Sequence, residues 1–113
     1  MPYLLLILEP RGQREARSDA EAHARYAEMV AFGESLGSKR LASESLRPDR
    51  HGVRVQVQHA KPVLRDGPFV EAREMIGGFF LLDCASLDEA VAIAQRCPAA
   101  RFATVEVREC APC

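Results

Sequence analysis

The chain has 113 residues, of which 48% are hydrophobic and 27% charged, and its formal net charge is -1. This length suits a single domain over residues 1–113, and the apolar fraction favours a packed core over disorder. Basic and acidic residues nearly balance, with no long run of either sign, which argues against nucleic acid as a partner.

The first predicted element is a strand over about residues 3–9, in the apolar run Tyr3-Leu4-Leu5-Leu6-Ile7-Leu8. The run is too short to span a bilayer, and it lacks the basic leader and small-residue cleavage site of a signal peptide. We therefore expect a cytoplasmic protein without a membrane partner.

A helix is predicted from about residue 19 to residue 36, because Ser18 and Glu21 have the spacing of a capping box. Gly37 is placed to end this helix in a left-handed conformation. Apolar residues recur at helical spacing on one helix face, namely Ala22, Tyr26, Met29, Gly33 and Leu36.

The middle of the chain is predicted to form strands. A short strand covers Leu41 to Leu46, and alternating valines and polar residues begin a hairpin over residues 53–65. Asp66-Gly67-Pro68 closes the hairpin with strong turn residues. Another apolar strand follows over Gly77 to Leu82.

The last part of the chain repeats the order of helix and strand. Ser86 and Glu89 form a second capping-box pattern, and Cys97-Pro98 ends the helix because proline cannot continue its hydrogen bonds. A final strand is predicted over Phe102 to Arg108, and residues 109–113 are expected to form a flexible tail.

This order predicts an α+β protein with a ferredoxin-like split β-α-β fold and a hairpin insertion. Both helices then cover one face of an antiparallel sheet. The first strand and Phe79-Phe80-Leu81-Leu82 carry apolar side chains on both faces, so the second face also needs a cover. A second copy of the chain is the simplest cover, which predicts a homodimer.

Four cysteines, Cys84, Cys97, Cys110 and Cys113, are expected to be reduced thiols. Cys110 and Cys113 have C-x-x-C spacing, but no helix follows to lower the pKa of the first thiol. No further ligand is spaced for a zinc site, so we expect neither a metal nor a cofactor.

The strongest candidate site lies on the segment that holds Asp66, Glu71, Arg73 and Glu74. Two close carboxylates beside a cation can separate their pKa values and supply an acid and a base. The same charges suit a salt-bridged turn around Phe69, which would then fill an apolar gap. Both interpretations stay open.

Histidine supplies a second candidate, because its side chain titrates nearest to physiological pH. His23 lies on the first predicted helix beside Glu21 and Arg25, where it is either a general base or a solvated surface residue. His51 and His59 fall in predicted turns, where polar residues are expected in any case.

Several stretches closely resemble the DGPF family within the YCII-related superfamily, and together they cover nearly the whole chain. They are Leu46-Arg47-Pro48, Asp66-Gly67-Pro68-Phe69-Val70-Glu71-Ala72-Arg73-Glu74, Gly78-Phe79-Phe80, Ser86-Leu87-Asp88-Glu89-Ala90, Arg96-Cys97-Pro98-Ala99-Ala100 and Glu106-Val107-Arg108. The resemblance implies a ferredoxin-like fold that pairs into a dimeric α-β barrel.

The resemblance implies several different functions. Some relatives look like small lyases or dehydrochlorinases with a histidine-aspartate pair, other dimeric α-β barrels are cofactor-free oxygenases, and some members accompany sigma-factor-like regulators. Arg73 stands where the family often has lysine, and a guanidinium acts as a fixed charge rather than as an acid or base. His23 does not coincide with the superfamily's histidine, so that pair is not transferred.

We therefore expect a small-molecule-binding domain with a pocket between the sheet and the Asp66–Glu74 segment. It would bind a small organic molecule or acid, with Arg73 or Arg108 holding the anionic group and Phe69 and Glu71 completing the binding site. An enzyme of this kind would perform cofactor-free lyase, isomerase or oxygenase chemistry, with Asp66, Glu74 or His23 as catalytic group. The alternative is a non-catalytic regulatory or protein-interaction module, linked to sigma-factor-type regulation.

Overall fold

The computed structural model describes residues 1–112 of the chain, which form six strands and three α-helices. In chain order they are β1 (Pro2–Pro10), α1 (Gln13–Ala16), α2 (Asp19–Ser35), β2 (Arg40–Ser45), β3 (Val53–Gln58), β4 (Lys61–Asp66), β5 (Glu74–Asp83), α3 (Leu87–Arg96) and β6 (Thr104–Glu109). Short 3-10 turns occupy Gly37–Lys39, Asp49–His51 and Pro98–Arg101.

The main sheet has the strand order β2-β5-β1-β6, and all its neighbouring strands are antiparallel. This is the ferredoxin-like order predicted from the sequence, with β3 and β4 forming a separate hairpin. Helices α2 and α3 both pack on one face of the sheet, where the buried core includes Phe32, Ile93, Leu5 and Leu82. The predicted fold class is confirmed.

β1 runs through the middle of the sheet and alternates strictly between its two faces. Tyr3, Leu5, Ile7 and Glu9 are buried on the helix side, whereas the residues between them are half-buried on the opposite side. The strand register places six apolar side chains on that opposite side, which we call the open face: Leu4, Leu6, Leu8, Ile76, Phe79 and Leu81. The predicted second copy that would cover the open face stays a prediction.

The helix ends follow their predicted chemistry. The Ser18 side chain accepts a hydrogen bond from the Glu21 amide, and the Glu21 carboxylate accepts one from the Ser18 amide, which completes the capping box. Gly37 has a φ of +55°, the left-handed conformation expected after α2. At α3, Ser86 caps the Glu89 amide, but the Glu89 carboxylate accepts from the Ala85 amide instead.

Three features differ from the sequence prediction. The short helix α1 was not anticipated, and β5 begins at Glu74, three residues earlier than expected. The flexible-tail prediction is wrong for Glu109, which pairs with Tyr3 in the sheet. Residues near the C-terminus find these partners because β1 begins as early as Pro2. The Pro2 carbonyl, for example, accepts a hydrogen bond from the Cys110 amide.

The structure bears out reduced thiols at the three cysteines within its described residues. Cys84 and Cys97 are buried and Cys110 is partly exposed, and all three are free thiols. Burial raises the pKa of both Cys84 and Cys97, which disfavours their reactive thiolate forms. Cys113 lies outside the described residues. Among residues 1–112, no helix is long and apolar enough to cross a bilayer.

Arg11 joins the end of β1 to two other parts of the chain. Its Nε donates to the carbonyl of Ala72 at 2.8 Å and its Nη2 to the carbonyl of Phe69 at 2.8 Å. Its two Nη atoms also lie 3.1 and 2.5 Å from the Oδ1 and Oδ2 atoms of Asp49. The backbone amide of Arg11 donates to the Arg73 carbonyl.

Asp49 completes this junction from the turn before the hairpin. Its Oδ2 also accepts a hydrogen bond from the Phe69 amide, and the Arg11 guanidinium holds the pKa of Asp49 below its ordinary value. Gly67 passes so close that a Cβ there would lie 1.8 Å from the Asp49 carbonyl oxygen. The hairpin and the loop after it are therefore held against β1 by one arginine and one aspartate.

Arg11→Lys should destabilise the protein strongly, because an ammonium group cannot reproduce the fork of donors that spans Asp49 and two carbonyls. We expect the midpoint of thermal unfolding to fall by roughly 10 °C, equivalent to about two net hydrogen bonds in a domain of this size. Circular dichroism at pH 7 measures this midpoint of thermal unfolding.

The matched control is Arg50→Lys, because Arg50 pairs with Glu15 on the exposed surface. Its midpoint should stay within about 2 °C of the wild-type value. Equal midpoints for the two variants would contradict the role given to Arg11.

Candidate functional site

A cleft of about 480 Å³ lies between α2 and the helix-facing side of the sheet, near the β2 edge. Its apolar wall includes Ile7, Phe80, Met29 and Phe102. Charged side chains from three parts of the chain also line it: Glu9, Arg14, Arg17, Arg25, Glu34, Arg40 and Glu44. The cleft thus combines an apolar surface with a few charged groups, as small-molecule sites commonly do.

The cleft exists because only one half of α2 packs closely on the sheet. Phe32 and Gly33 near the end of α2 are buried, whereas Tyr26 in its first half is 68% exposed. Gly33 allows this close contact, since a Cβ there would lie 2.9 Å from Arg40 and 3.4 Å from Phe80. The apolar stripe predicted for this helix therefore covers the core at one end and lines the cleft at the other.

Glu9 lies at the inner end of the cleft and is only 6% exposed. It occupies the fourth helix-facing position of β1, after three apolar residues of the same parity. The Glu9 carboxylate packs against β5 where the register between β1 and β5 shifts, at Gly77. A Cβ on Gly77 would lie 2.6 Å from the carboxyl carbon of Glu9. Glycine at position 77 therefore leaves the space that this carboxylate occupies.

Arg14 supplies the counter-charge of Glu9. Gly12, with a φ of +86°, turns the chain into α1 and brings Arg14 back beneath β5. The Nε atom of Arg14 lies 2.5 Å from Oε1 of Glu9, and its Nη atoms donate to the carbonyls of Leu46 and Gly77. Glu9 and Arg14 therefore form a close ion pair, in which the Glu9 side chain is 7% exposed and the Arg14 side chain 25% exposed.

Burial raises the pKa of Glu9 above its ordinary value of 4.5. The positive charges of Arg14 and Arg17 oppose this shift but do not cancel it. A carboxyl group in such surroundings holds its proton more tightly than one in water. Glu9 is therefore suited to act as a general acid or base.

Two further arginines stand over the ring of Phe102 at the other side of the cleft. The guanidinium carbons of Arg25 and Arg17 lie 3.7 and 5.2 Å from the ring centroid. Gln13 positions this group, because its amide donates to the Phe102 carbonyl and accepts from Arg17. Among residues 1–112, the structure records no ion pair for Arg25, so its charge is available to a bound anion.

The predicted Asp66–Glu74 segment has a different environment. Glu71 forms ion pairs with Arg65 at 2.6 Å and Arg54 at 3.2 Å, and the hydrogen bond from Arg65 lowers its pKa. Phe69 is buried and fills the gap beneath those two arginines, as the structural interpretation of this segment predicts. The side chains of Asp66, Arg73 and Glu74 are exposed.

A second cleft, of about 550 Å³, lies where the pocket was predicted from the sequence, beside this segment. Of the predicted residues, Phe69 and Glu74 line it, together with Asp49, Met75 and Ile76. Asp49 is already neutralised by Arg11. This cleft therefore has a suitable size, but neither of its described carboxylates, Asp49 and Glu74, is buried.

The remaining predicted residues lie apart from both clefts. His23 is exposed on α2 and lines neither cleft. Arg108 is paired with Leu4 in the register, so it lies on the open face, where it forms an ion pair with Glu106 at 3.2 Å. The functional roles assigned to His23, Arg108 and the Asp66–Glu74 segment stay predictions.

Glu9, Arg14, Arg17 and Arg25 are not among the residues predicted from the sequence. One signal for Glu9 was available: positions 3, 5 and 7 are apolar, and Glu9 continues the same parity into the core. An acidic residue at a core position followed by four arginines within sixteen residues favours a buried ion pair or a site. Within residues 1–112, no three His, Cys, Asp or Glu side chains are grouped to hold a metal ion.

Comparison with known proteins agrees with this architecture. A protein-family model described as the YCII-related domain matches residues 1–113. An uncharacterized protein of Rhizobium meliloti (strain 1021) is 54% identical over 33 residues, which are 29% of this chain and 27% of that protein. The matched segment thus spans about a quarter of the length of this curated relative.

A solved structure is also similar over nearly its whole length. It is the 5-chloro-2-hydroxyhydroquinone dehydrochlorinase of Burkholderia phenoliruptrix AC1100 in complex with 2,5-dihydroxybenzoquinone. The TM-score is 0.58 at 18% sequence identity, and the alignment covers 98% of this chain and 94% of that chain. At this identity the likeness shows a shared fold.

The raised pKa of Glu9 predicts a pH dependence of stability that Glu9→Gln removes. Because the folded protein holds this proton more tightly than the unfolded chain, the wild type should lose stability relative to Glu9→Gln as the pH rises from 4.5 through the folded-state pKa. Urea unfolding of both proteins between pH 4 and pH 8 measures the difference.

Glu74→Gln is the control, because Glu74 is exposed. Its stability should follow that of the wild type across the same pH range. A constant difference between the wild type and Glu9→Gln would show that Glu9 titrates normally, contrary to this account.

Proposed function

The chain belongs to the YCII-related domain family, and we propose that it binds a small planar organic anion in the cleft beneath α2 and transfers a proton there through Glu9. The observation that supports this function best is the environment of Glu9. Its carboxylate is buried at the inner end of the cleft, next to the guanidinium of Arg14, and burial raises its pKa. A buried carboxyl group with a raised pKa beside a cavity is a candidate for proton transfer.

The arginines on the other side of the cleft define the charge of the ligand. Arg17 and Arg25 place two planar guanidinium groups beside Phe102, and guanidinium groups recognise carboxylates and other flat anions in a bidentate manner. The aromatic side chains of Phe80 and Phe102 provide apolar walls for a flat molecule. An aromatic or enolic acid fits these features.

Proton abstraction next to a carbonyl is the reaction that these groups support most directly. Glu9 in its ionised form would accept a proton from carbon, while Arg14 and Arg17 would stabilise the negative charge that develops on the ligand. This step begins many lyase and isomerase reactions, the reaction classes expected from the sequence. The base is then Glu9 rather than Asp66 or Glu74.

The finer identity of the chain is part of the proposal. The Asp66–Glu74 stretch and Gly78-Phe79-Phe80 support the DGPF family within the YCII-related proteins. We also propose a cytoplasmic location, since the first apolar run forms a sheet strand and Cys84, Cys97 and Cys110 are free thiols.

A non-catalytic interaction module is the second candidate. The observation in its favour is that the Asp66–Glu74 segment has structural uses: Glu71 is paired with two arginines, and Phe69 fills a gap. In this alternative the segment would shape a surface for another protein, and the cleft beneath α2 would hold a ligand that only regulates binding.

Benzoate tests the anion-binding half of the proposal. Isothermal titration calorimetry should show binding of benzoate and much weaker binding of benzyl alcohol, which has the same ring without the charge. Arg25→Gln should weaken benzoate binding by roughly tenfold, because a charge-assisted hydrogen bond contributes about 1.5–3 kcal/mol.

Arg96→Gln, an exposed position on α3 outside the cleft lining, is the matched control and should bind benzoate like the wild type. Arg108→Gln tests the clamp predicted from the sequence. Loss of binding in Arg108→Gln and not in Arg25→Gln would move the anion site to the open face.

Phenylpyruvate tests the proton-transfer half, since it is an aromatic acid with an exchangeable proton next to a carbonyl, and loss of that proton gives a planar enolate. In deuterium oxide, proton NMR should show faster deuterium incorporation at C3 with the wild type than with buffer. Glu9→Gln should lose at least about 100-fold of this acceleration, the usual contribution of a positioned base. Benzoate binding without any accelerated exchange would favour the non-catalytic candidate.

A further inference from the structure

The cleft beneath α2 has a second positively charged end, at the β2 edge of the sheet. Arg40, the first residue of β2, lines the cleft there, and the register pairs it with the buried Leu82. Paired residues on neighbouring strands point to the same face of a sheet, so the Arg40 side chain lies on the helix-facing side. The anion site of the proposed function, Arg17 and Arg25, lies on the other side of the cleft over Phe102.

The end of α2 packs directly on the Arg40 side chain. A Cβ on Gly33 would lie 2.9 Å from the Nη1 atom of Arg40 and 3.9 Å from its Cδ atom. The ring of Phe80 borders the same contact, with one edge carbon 3.4 Å from that Cβ position. The guanidinium therefore lies next to the apolar wall of the cleft, in the space that glycine at position 33 leaves.

The acidic residues near Arg40 do not neutralise it. Glu34 and Glu44 also line the cleft, but among residues 1–112 the structure records no ion pair between either of them and Arg40. Glu44 pairs with Phe79 in the register, so its side chain points to the open face. Glu34 directly follows Gly33, and its side chain leaves the helix about 100° away from the contact with Arg40. The charge of Arg40 is therefore available to a ligand.

Two hydroxyl groups accompany this charge along β2. Ser43 pairs with the buried Phe80, and Ser45 pairs with Gly78, which places both serine side chains on the helix-facing side. Both residues line the cleft. The β2 wall thus presents one guanidinium and two hydroxyl groups, all of which can donate hydrogen bonds to a carboxylate.

The distance between the two positive ends sets the length of a ligand that contacts both. Arg25 and Gly33 are eight residues apart in α2, which is about 12 Å along the helix axis. A charge-assisted hydrogen bond at each end takes up about 3 Å, which leaves roughly 6 Å between the two anionic groups of the ligand. Carboxylates on opposite sides of a benzene ring have about this separation, whereas carboxylates on adjacent ring carbons lie much closer together.

We propose that the cleft selects a dianion, an aromatic 1,4-dicarboxylate that binds with one carboxylate beside Arg25, the other beside Arg40 and its ring against Phe80. This inference rests on the proposed function, because it keeps the same cleft and the same first anion site. It adds Arg40 and the two serines of β2 as the residues that determine specificity for the second carboxylate.

Terephthalate and phthalate test the proposal, because they carry the same two charges at different separations. Isothermal titration calorimetry of the wild type at pH 7 should show that terephthalate binds about tenfold more tightly than benzoate, the gain expected from one further charge-assisted contact. Phthalate cannot reach both ends and should bind within about threefold of benzoate. Equal affinities for terephthalate and phthalate would overturn the proposal, and this comparison needs no variant.

Arg40→Gln locates the second carboxylate. It should weaken terephthalate binding by about tenfold and leave benzoate binding within about twofold of the wild-type value. Arg47→Gln is the matched control, because it removes the same charge at an exposed position that lines the second cleft, and it should change neither affinity. Weaker terephthalate binding in both variants, or in neither, would overturn the role given to Arg40.

The benzoate titrations separate this inference from the proposed function. Benzoate binding that depends on Arg25, together with terephthalate binding of equal strength, would keep the proposed function and overturn the dianion inference. A wild type that binds neither benzoate nor terephthalate would overturn the anion site of the proposed function, and this inference with it.

Discussion

The contact between Arg11 and Asp49 is the constraint on which the rest of the structure depends. It fixes the point at which the chain leaves β1, and the turn at Gly12 then directs α1 beneath β5. Arg14 in α1 then lies against the buried carboxylate of Glu9. The Arg11 guanidinium also holds the loop that contains Phe69, at the base of the β3–β4 hairpin. One arginine thereby positions both the cleft and the projecting hairpin.

This constraint also explains the conspicuous motif of the sequence. Gly67 is required where the chain passes against the Asp49 carbonyl, and Phe69 supplies both a buried ring and two backbone contacts to the Arg11–Asp49 pair. Glu71 forms ion pairs with both Arg54 and Arg65 of the β3–β4 hairpin, which stack on that ring. In this structure the Glu71 carboxylate of the motif therefore contributes to the structure of the hairpin. The buried carboxylate next to a cavity belongs to β1 instead.

The elements of the fold were predictable because their signals are local. Both serine caps, the left-handed Gly37, the alternating valines of β3 and the proline after α3 depend on residues a few positions apart. The candidate site was not predictable in the same way. Arg11 contacts residues 38 to 61 positions away, and the cleft exists because Gly33 and Phe32 bring one half of α2 onto the sheet while Tyr26 stays exposed. The one local sign of the site was that Glu9 falls on the same face of β1 as the apolar residues at positions 3, 5 and 7. This sign points to a buried carboxylate only once β1 is known to be a central strand.

We propose that the chemistry of this protein takes place in the cleft between Glu9 and Arg25. A crystal structure of the protein soaked with benzoate shows where the anion binds. We expect electron density in that cleft, with the carboxylate within hydrogen-bond distance of Arg17 or Arg25 and the ring beside Phe102. Density in the second cleft, against Phe69 and Glu74, would contradict the claim and restore the site expected from the sequence.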